Sequence, residues 1–199
     1  MPTPVRVASE TGHDRGREAG MHGVFTLPEG GLSVRPASTA DRETLEAMLS
    51  RLSARTIYER FHAPYPRVPA WALAGMVEAD HDDKEALVAI VGEEIVGHAM
   101  YVRGGAPGEA ELAVLVEDGW QSMGVGRRLL TELALKARSR CIDLFTGTVL
   151  GENRRALAAL AAVFPEMRYG VSDGAYTVRA PLRSSPEAAG ERVARAWCG

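Results

Sequence analysis

The segment Glu117-Asp118-Gly119-Trp120-Gln121-Ser122-Met123-Gly124-Val125-Gly126-Arg127-Arg128-Leu129-Leu130 offers the most specific chemistry in the chain. Strand-forming residues run into a turn, and glycines stand at the start of an amphipathic helix. Glycine permits close backbone approach and unusual dihedrals. The first N–H groups of a helix lack intrahelical acceptors and carry partial positive charge. Together these make a cradle for phosphate, and Arg127 and Arg128 add charge beside it. No Gly-Lys-Ser/Thr follows, which excludes a Walker loop, and Leu129 stands where the dinucleotide fingerprint needs a third small residue. A structural turn that binds nothing would show the same pair of glycines.

Other chemistry-bearing residues are sparse. His98 lies inside a strand and reads as a hydrogen-bonded residue. His13, His22, His62 and His81 have no ligand spacing, so no metal is expected. The run Asp80-His81-Asp82-Asp83 reads as a solvated loop. Cys141 and Cys198 match no metal or redox spacing; no disulfide framework is expected, which favours a reducing compartment. No Ser or Cys has a recognisable base partner, so chemistry by direct attack is expected rather than a covalent enzyme intermediate.

The elements that must position these groups follow from periodicity. Leu32, Val34 and Pro36 alternate as a first strand. Ser38 or Thr39 can cap a helix carrying Leu45, Met48, Leu49 and Leu52. Ser53 opens a short helix with Ile57, Tyr58 and Phe61. The prolines of 62–69 exclude regular helix or central strand. Trp71, Leu73, Met76 and Val77 mark a third helix. Strands are expected over 86–91, 95–102, 109–116 and 142–149, with a closing pair over 167–171 and 176–182. Val125, Leu129, Leu130, Leu133 and Ala137 mark one later helix; Ala156, Leu157, Leu160 and Phe164 mark another. The order β-α-α-α-β-β-β-α-β-α-β-β predicts an α+β (mixed α/β) domain on one mixed sheet.

In this order of elements, Gln121-Ser122-Met123-Gly124-Val125-Gly126 resembles the Gln/Arg-x-x-Gly-x-Gly/Ala signature of the GNAT N-acetyltransferase superfamily. The resemblance implies a splayed central sheet flanked by helices, with acetyl-CoA as co-substrate in the splay. Backbone N–H groups of Gln121, Ser122, Met123, Gly124, Val125, Gly126 and Arg127 would hold the CoA pyrophosphate. Val114 and Val116 match the positions that offer backbone groups to the pantetheine arm, and Asn153 matches one that reaches the CoA arm. Asn also suits an ordinary N-cap. Trp120 sits at an aromatic position best read as packing under the turn.

Acetyl transfer to an amine needs a base, since a lysine of pKa ~10.4 is neutral in only about one molecule in two thousand at pH 7. Strand period two places Glu109, Glu111, Ala113 and Leu115 on one face, which predicts Glu111 partly buried beside apolar groups. Ala110-Glu111-Leu112-Ala113 resembles the Ala-Glu-Val-Ala segment of bacterial protein lysine acetyltransferases, whose glutamate is the general base. Glu111 is therefore the candidate base and Glu109 its rival. Leu52-Ser53-Ala54-Arg55-Thr56-Ile57-Tyr58-Glu59-Arg60-Phe61 resembles a segment of the same subgroup. Many superfamily members carry a tyrosine acid seven positions after the Asn; Leu160 stands there, and Tyr169 and Tyr176 are unplaced.

The chain has 199 residues and a net charge of −3, which argues against a broadly basic nucleic-acid binder and a polybasic membrane anchor. No apolar run approaches the ~18 residues of a membrane span, and the arginine-bearing N-terminus lacks the apolar core of a secretory signal. The expected location is cytoplasmic. The expected units are a lead-in over 1–30, a catalytic domain over 31–183 and a tail over 184–199. The expected partners are acetyl-CoA and an amine acceptor, a protein lysine or a small molecule. No nucleic acid or membrane partner is expected. Superfamily members are often dimers, so a homodimer is one expected assembly. A non-catalytic acyl-CoA-binding module is the competing class.

Overall fold

The computed structural model describes residues 31–182, so the segments read as lead-in and tail lie outside the described residues. Its elements are β1 (Leu32–Pro36), α1 (Arg42–Ser50), α2 (Ala54–Phe61), α3 (Ala70–Val77), β2 (Lys84–Val91), β3 (Glu94–Arg103), β4 (Glu109–Val116), α4 (Val125–Ser139), β5 (Leu144–Leu150), α5 (Arg154–Val163), β6 (Arg168–Ser172) and β7 (Ala175–Pro181). All strands join one mixed sheet in the order β1-β2-β3-β4-β5-β7-β6. Every neighbouring pair is antiparallel except β4 and β5, which run parallel. The α+β class and the splayed, helix-flanked sheet are thus observed.

The alternation of each strand divides the core in two. Tyr101, Ala110 and Phe145 belong to a cluster with Leu129, Leu130 and Leu133 of α4 and Leu160 of α5. The opposite face sends Ala86, Val88 and Leu115 into a cluster with Leu45 and Met48 of α1 and Leu73 and Met76 of α3. Gly97 fixes how closely α4 lies on the sheet. A Cβ there would meet Leu129 Cδ1 at 3.0 Å and Val125 Cγ1 at 3.2 Å.

Several expectations need correction. Ile142 is buried beneath a turn rather than in β5, its N–H donating 3.0 Å to the Ala137 carbonyl that ends α4. Trp71 is 69% exposed although its helical spacing suggested the apolar face. Tyr58 is 46% exposed, while Phe61 is half-buried.

Candidate active site

β4 and β5 pair only at Glu109–Leu144, Ala110–Phe145 and Glu111–Thr146. Beyond those positions both strands continue unpaired with each other, and the sheet opens. Gly147 sits where they part: a Cβ there would lie 3.2 Å from the Leu112 carbonyl oxygen. Strand period two fixes which backbone groups face the opening. The carbonyls of Ala110 and Leu112 point toward β5, the first accepting from Thr146 Oγ1 at 3.4 Å. Val114 and Val116 share that parity, so their backbone groups face the splay. Val116 O is taken by Gln121 Nε2 at 3.0 Å. Val114 lines the cleft, of about 290 Å³, that fills the opening. Asn153, Leu160, Thr146 and Thr148 line it from the β5–α5 side.

At the far end of β4 the glycine-rich turn enters α4. Gly124 is the N-cap with φ 87°, a left-handed conformation that glycine adopts without strain, and no side chain caps the helix. The first intrahelical donor is Arg128 N–H to Gly124 O, leaving the earlier N–H groups pointing out of the helix start. Arg127 is exposed beside them, whereas Arg128 is paired with Glu132 at 2.9 Å. Trp120 is half-buried against the core under the turn. Open N–H groups at the turn and unpaired backbone at Val114 suit a long ligand with an anionic end and an amide-bearing arm, which is the chemistry of CoA.

The two candidate carboxylates meet different fates. Glu109 is tied to Arg179 of β7 at 2.6 Å. Glu111 lines the cleft and makes no hydrogen bond or ion pair among the described residues. The side chain is exposed rather than partly buried: Glu111 is the last β4 residue paired with β5, and it borders the cleft that opens there. Asn153 caps α5, its Oδ1 accepting from Ala156 N–H at 3.0 Å while the residue still lines the cleft. Leu160 is 4% exposed and packs into the core. Tyr169 and Tyr176 pair edge-to-face at 5.1 Å on the β6–β7 hairpin, and no tyrosine lines the cleft.

Another wall of the cleft comes from α2. Ser53 caps it, its Oγ accepting from Thr56 N–H at 3.2 Å. Asp118, in the glycine-rich turn, accepts from Ser53 N–H at 2.9 Å, Ser53 Oγ at 2.8 Å and Thr56 Oγ1 at 2.7 Å. Burial pushes the Asp118 carboxyl up, and these bonds outweigh it and hold the group below the usual carboxylate range. Arg51 adds a two-pronged bond to Glu117 at 2.9 and 2.7 Å. The other end of α2 brings Glu59, Arg60, Phe61 and His62 to the cleft. Sequence reading missed Glu59 and His62 as cleft residues and missed Asp118 altogether; the only signal for the last was its place in the turn motif. His98 is not at the cleft. It is fully buried, with Nε2–H donating 2.9 Å to Met76 O, and burial drops its pKa to about 3. Among the described residues no His, Cys, Asp and Glu converge as a metal site, and no helix is long and apolar enough to cross a membrane.

Comparison with known proteins agrees with this geometry. The model of the Acetyltransferase (GNAT) family matches residues 46–163, which span Glu111, the glycine-rich turn and Asn153. An acetyltransferase of Pseudomonas aeruginosa is 30% identical over 124 residues, covering 60% of this chain and 67% of the relative. The crystal structure of the GNAT domain of S. lividans PAT superposes with a TM-score of 0.71 at 31% identity, covering 79% of this chain and 94% of that one. The ribosomal-protein-S18-alanine N-acetyltransferase of Escherichia coli shares the fold, with a TM-score of 0.59 at 16% identity and coverage of 79% and 97%. A splayed parallel strand pair opening beside an uncapped, glycine-led helix therefore has its place among known enzymes: the chain belongs to the GNAT family of acetyltransferases, which transfer the acetyl group of acetyl-CoA.

Proposed function

We propose that the chain acetylates a primary amine and that Glu111 is the general base. The observation that carries this is the contrast on β4: of two carboxylates on one face, Glu109 is locked to Arg179 and Glu111 stands unpaired in the cleft. In this reading residues 31–183 form the catalytic unit. Backbone N–H groups from Ser122 to Arg127 hold the pyrophosphate, with Arg127 beside them; the N–H of Gln121, expected to join them, is given to Asp118 O at 3.4 Å. Val114 and Val116 present backbone groups to the pantetheine arm, and the free amide nitrogen of Asn153 serves the same arm.

The amine nitrogen attacks the thioester carbonyl carbon, and its proton passes to Glu111 directly or through one water. Backbone N–H groups of the splayed β4 segment meet the developing oxyanion. The C–S bond then breaks and the sulfur keeps the electron pair. A thiol has a pKa of only ~8.5, so the thiolate leaves without a tyrosine acid. That is consistent with Leu160 in the cleft wall.

The acceptor in this reading is a protein lysine, supported by the resemblances over 110–113 and 52–61 and by the likeness to the S. lividans domain. A small-molecule amine is the alternative acceptor. Acetyl-CoA consumption by wild type and Glu111→Gln over a panel of lysine peptides, folded proteins and small amines tests the proposal. The expected result is a fall in kcat of about 100- to 10,000-fold in the variant, with acetyl-CoA still raising the melting temperature. Unchanged turnover in Glu111→Gln would remove Glu111 as base.

A further inference from the structure

Two ionised side chains in the cleft lack a partner, and they have opposite signs. The ionisable residues lining it are Glu59, Arg60, His62 and Glu111. Glu59 is consumed by Arg55 one turn earlier on α2, at 2.8 Å. Glu111 is unpaired, as described. Arg60 reaches no carboxylate within ion-pair distance among the described residues. By contrast, Arg35, Arg51, Arg103 and Arg179 each lie within 2.9 Å of one.

Arg60 is half-buried, and its burial is concentrated at the root of the guanidinium. Its Nε is sealed from solvent and has no hydrogen-bond partner. One terminal nitrogen lies 3.7 Å from Met100 Sδ, and the guanidinium carbon is 4.9 Å from the Phe61 ring centroid. A thioether and a ring face are weak company for a half-buried cation. Met100 pairs with Ala113 across the sheet, which places Arg60 over the same face as Glu111. Burial weakens the guanidinium's hold on its proton, and the Glu111 charge opposes that effect from beyond contact distance. A half-buried charge that the fold does not neutralise marks a functional position.

We infer that the acceptor carries a carboxylate beside its amine, and that Arg60 receives this carboxylate while Glu111 faces the ammonium. The inference rests on the reading of Glu111 as base. The required chemistry is zwitterionic: an amino acid with a free carboxylate, or a lysine in a peptide with an acidic neighbour. A guanidinium holds a carboxylate by two parallel N–H···O bonds, a geometry that an ammonium does not reproduce.

The test uses the full chain and two matched pairs of acceptors. One pair is β-alanine and propylamine; the other is a blocked lysine peptide with Asp after the lysine and the same peptide with Asn. Wild type should favour the acidic member of at least one pair by about 10- to 100-fold in kcat/KM, chiefly through KM. The pair that shows the preference identifies the source of the carboxylate. Arg60→Met should abolish the preference while keeping turnover on the neutral member, and Arg60→Lys should retain part of it. The melting temperature of Arg60→Met should equal or exceed that of wild type. An absence of preference in wild type, or a preference that survives in Arg60→Met, overturns the inference. Thermal protection by the acidic members is a second readout that needs no turnover. Protection in wild type that disappears in Arg60→Met supports the inference, and no protection overturns it. Glu111→Gln separates the two readings. Normal turnover in that variant defeats the base assignment alone, and the Arg60→Met result still decides the carboxylate.

Discussion

Glu85 is buried and Arg60 half-buried on opposite faces of the same sheet, and the fold treats the two charges in opposite ways. Glu85, at the start of β2, is 0% exposed and faces α4. His81 Nδ1 lies 2.7 Å from one carboxylate oxygen, and Lys136 Nζ and Arg140 NH1 each lie 3.3 Å from the other. The two cations come from the end of α4, where the helix dipole also favours positive charge. Arg60, also near a helix end, faces the cleft with a sulfur and a ring for company. A charge buried for architecture arrives with its counter-charges on neighbouring elements. A charge buried for chemistry leaves its counter-charge to be supplied by the ligand.

This contrast predicts a double dissociation. The largest effect is on catalysis: Glu111→Gln should lose about 100- to 10,000-fold in kcat, yet melt at the wild-type temperature, because the side chain makes no contact that the fold uses. Next, Glu85→Ala should keep kcat/KM but lose about 1.5–3 kcal/mol of stability, since it removes charge-assisted bonds to three part-exposed cations. For a domain of this size that is a fall of roughly 5 °C in melting temperature by scanning calorimetry. Destabilisation by Glu111→Gln equal to that of Glu85→Ala would break the contrast.

Smaller effects sharpen it. Asp118→Ala removes the anchor of α2 and should cost about 1 kcal/mol, as other cap losses do. The acceptor KM should rise more than the acetyl-CoA KM, which steady-state kinetics with each substrate varied would show. His98, a buried group kept neutral, gives an effect that vanishes at neutral pH and grows with acid. Its folded pKa of about 3 lies below the unfolded value of ~6.5. The unfolded chain therefore binds the extra proton between these values. His98 costs nothing above pH 6.5 and lowers stability progressively as pH falls toward 3. Asp41, whose pKa Arg35 holds down to about 2, adds acid sensitivity only below pH ~3.8. Melting curves from pH 7 to 4.5 should decline in wild type and flatten in His98→Gln. Parallel curves for the two proteins would exclude His98 as the source.

Much of this was legible in the sequence because it is local. Period two in 109–116, period 3.6 in 125–139 and the glycine spacing of the turn placed β4, α4 and the turn between them within a few residues of where they stand. What the sequence hid depends on partners distant in the chain. Thr56 and Asp118 are bonded across 62 positions, and Glu109 and Arg179 across 70. No spacing rule reads such pairs, so which glutamate was spent and which was free stayed invisible. The exposure of Glu111 was misjudged for a related reason: its face is apolar by alternation, but the residue stands at the edge of a cleft that only the fold creates. The role proposed for Arg60 required knowing that Glu59 was already occupied by Arg55, a contact that helical spacing permits but does not compel.

The anchoring of α2 has a mechanical consequence. The helix is held at Ser53 and Thr56 by a side chain of the turn that leads into α4, and Arg60 rides near its other end. Seven residues at 1.5 Å each make a lever about 10 Å long, so a tilt of ~10° at its pivot sweeps the guanidinium through about 2 Å. A displacement of the turn too small to disturb its own backbone is magnified at the opposite wall of the cleft.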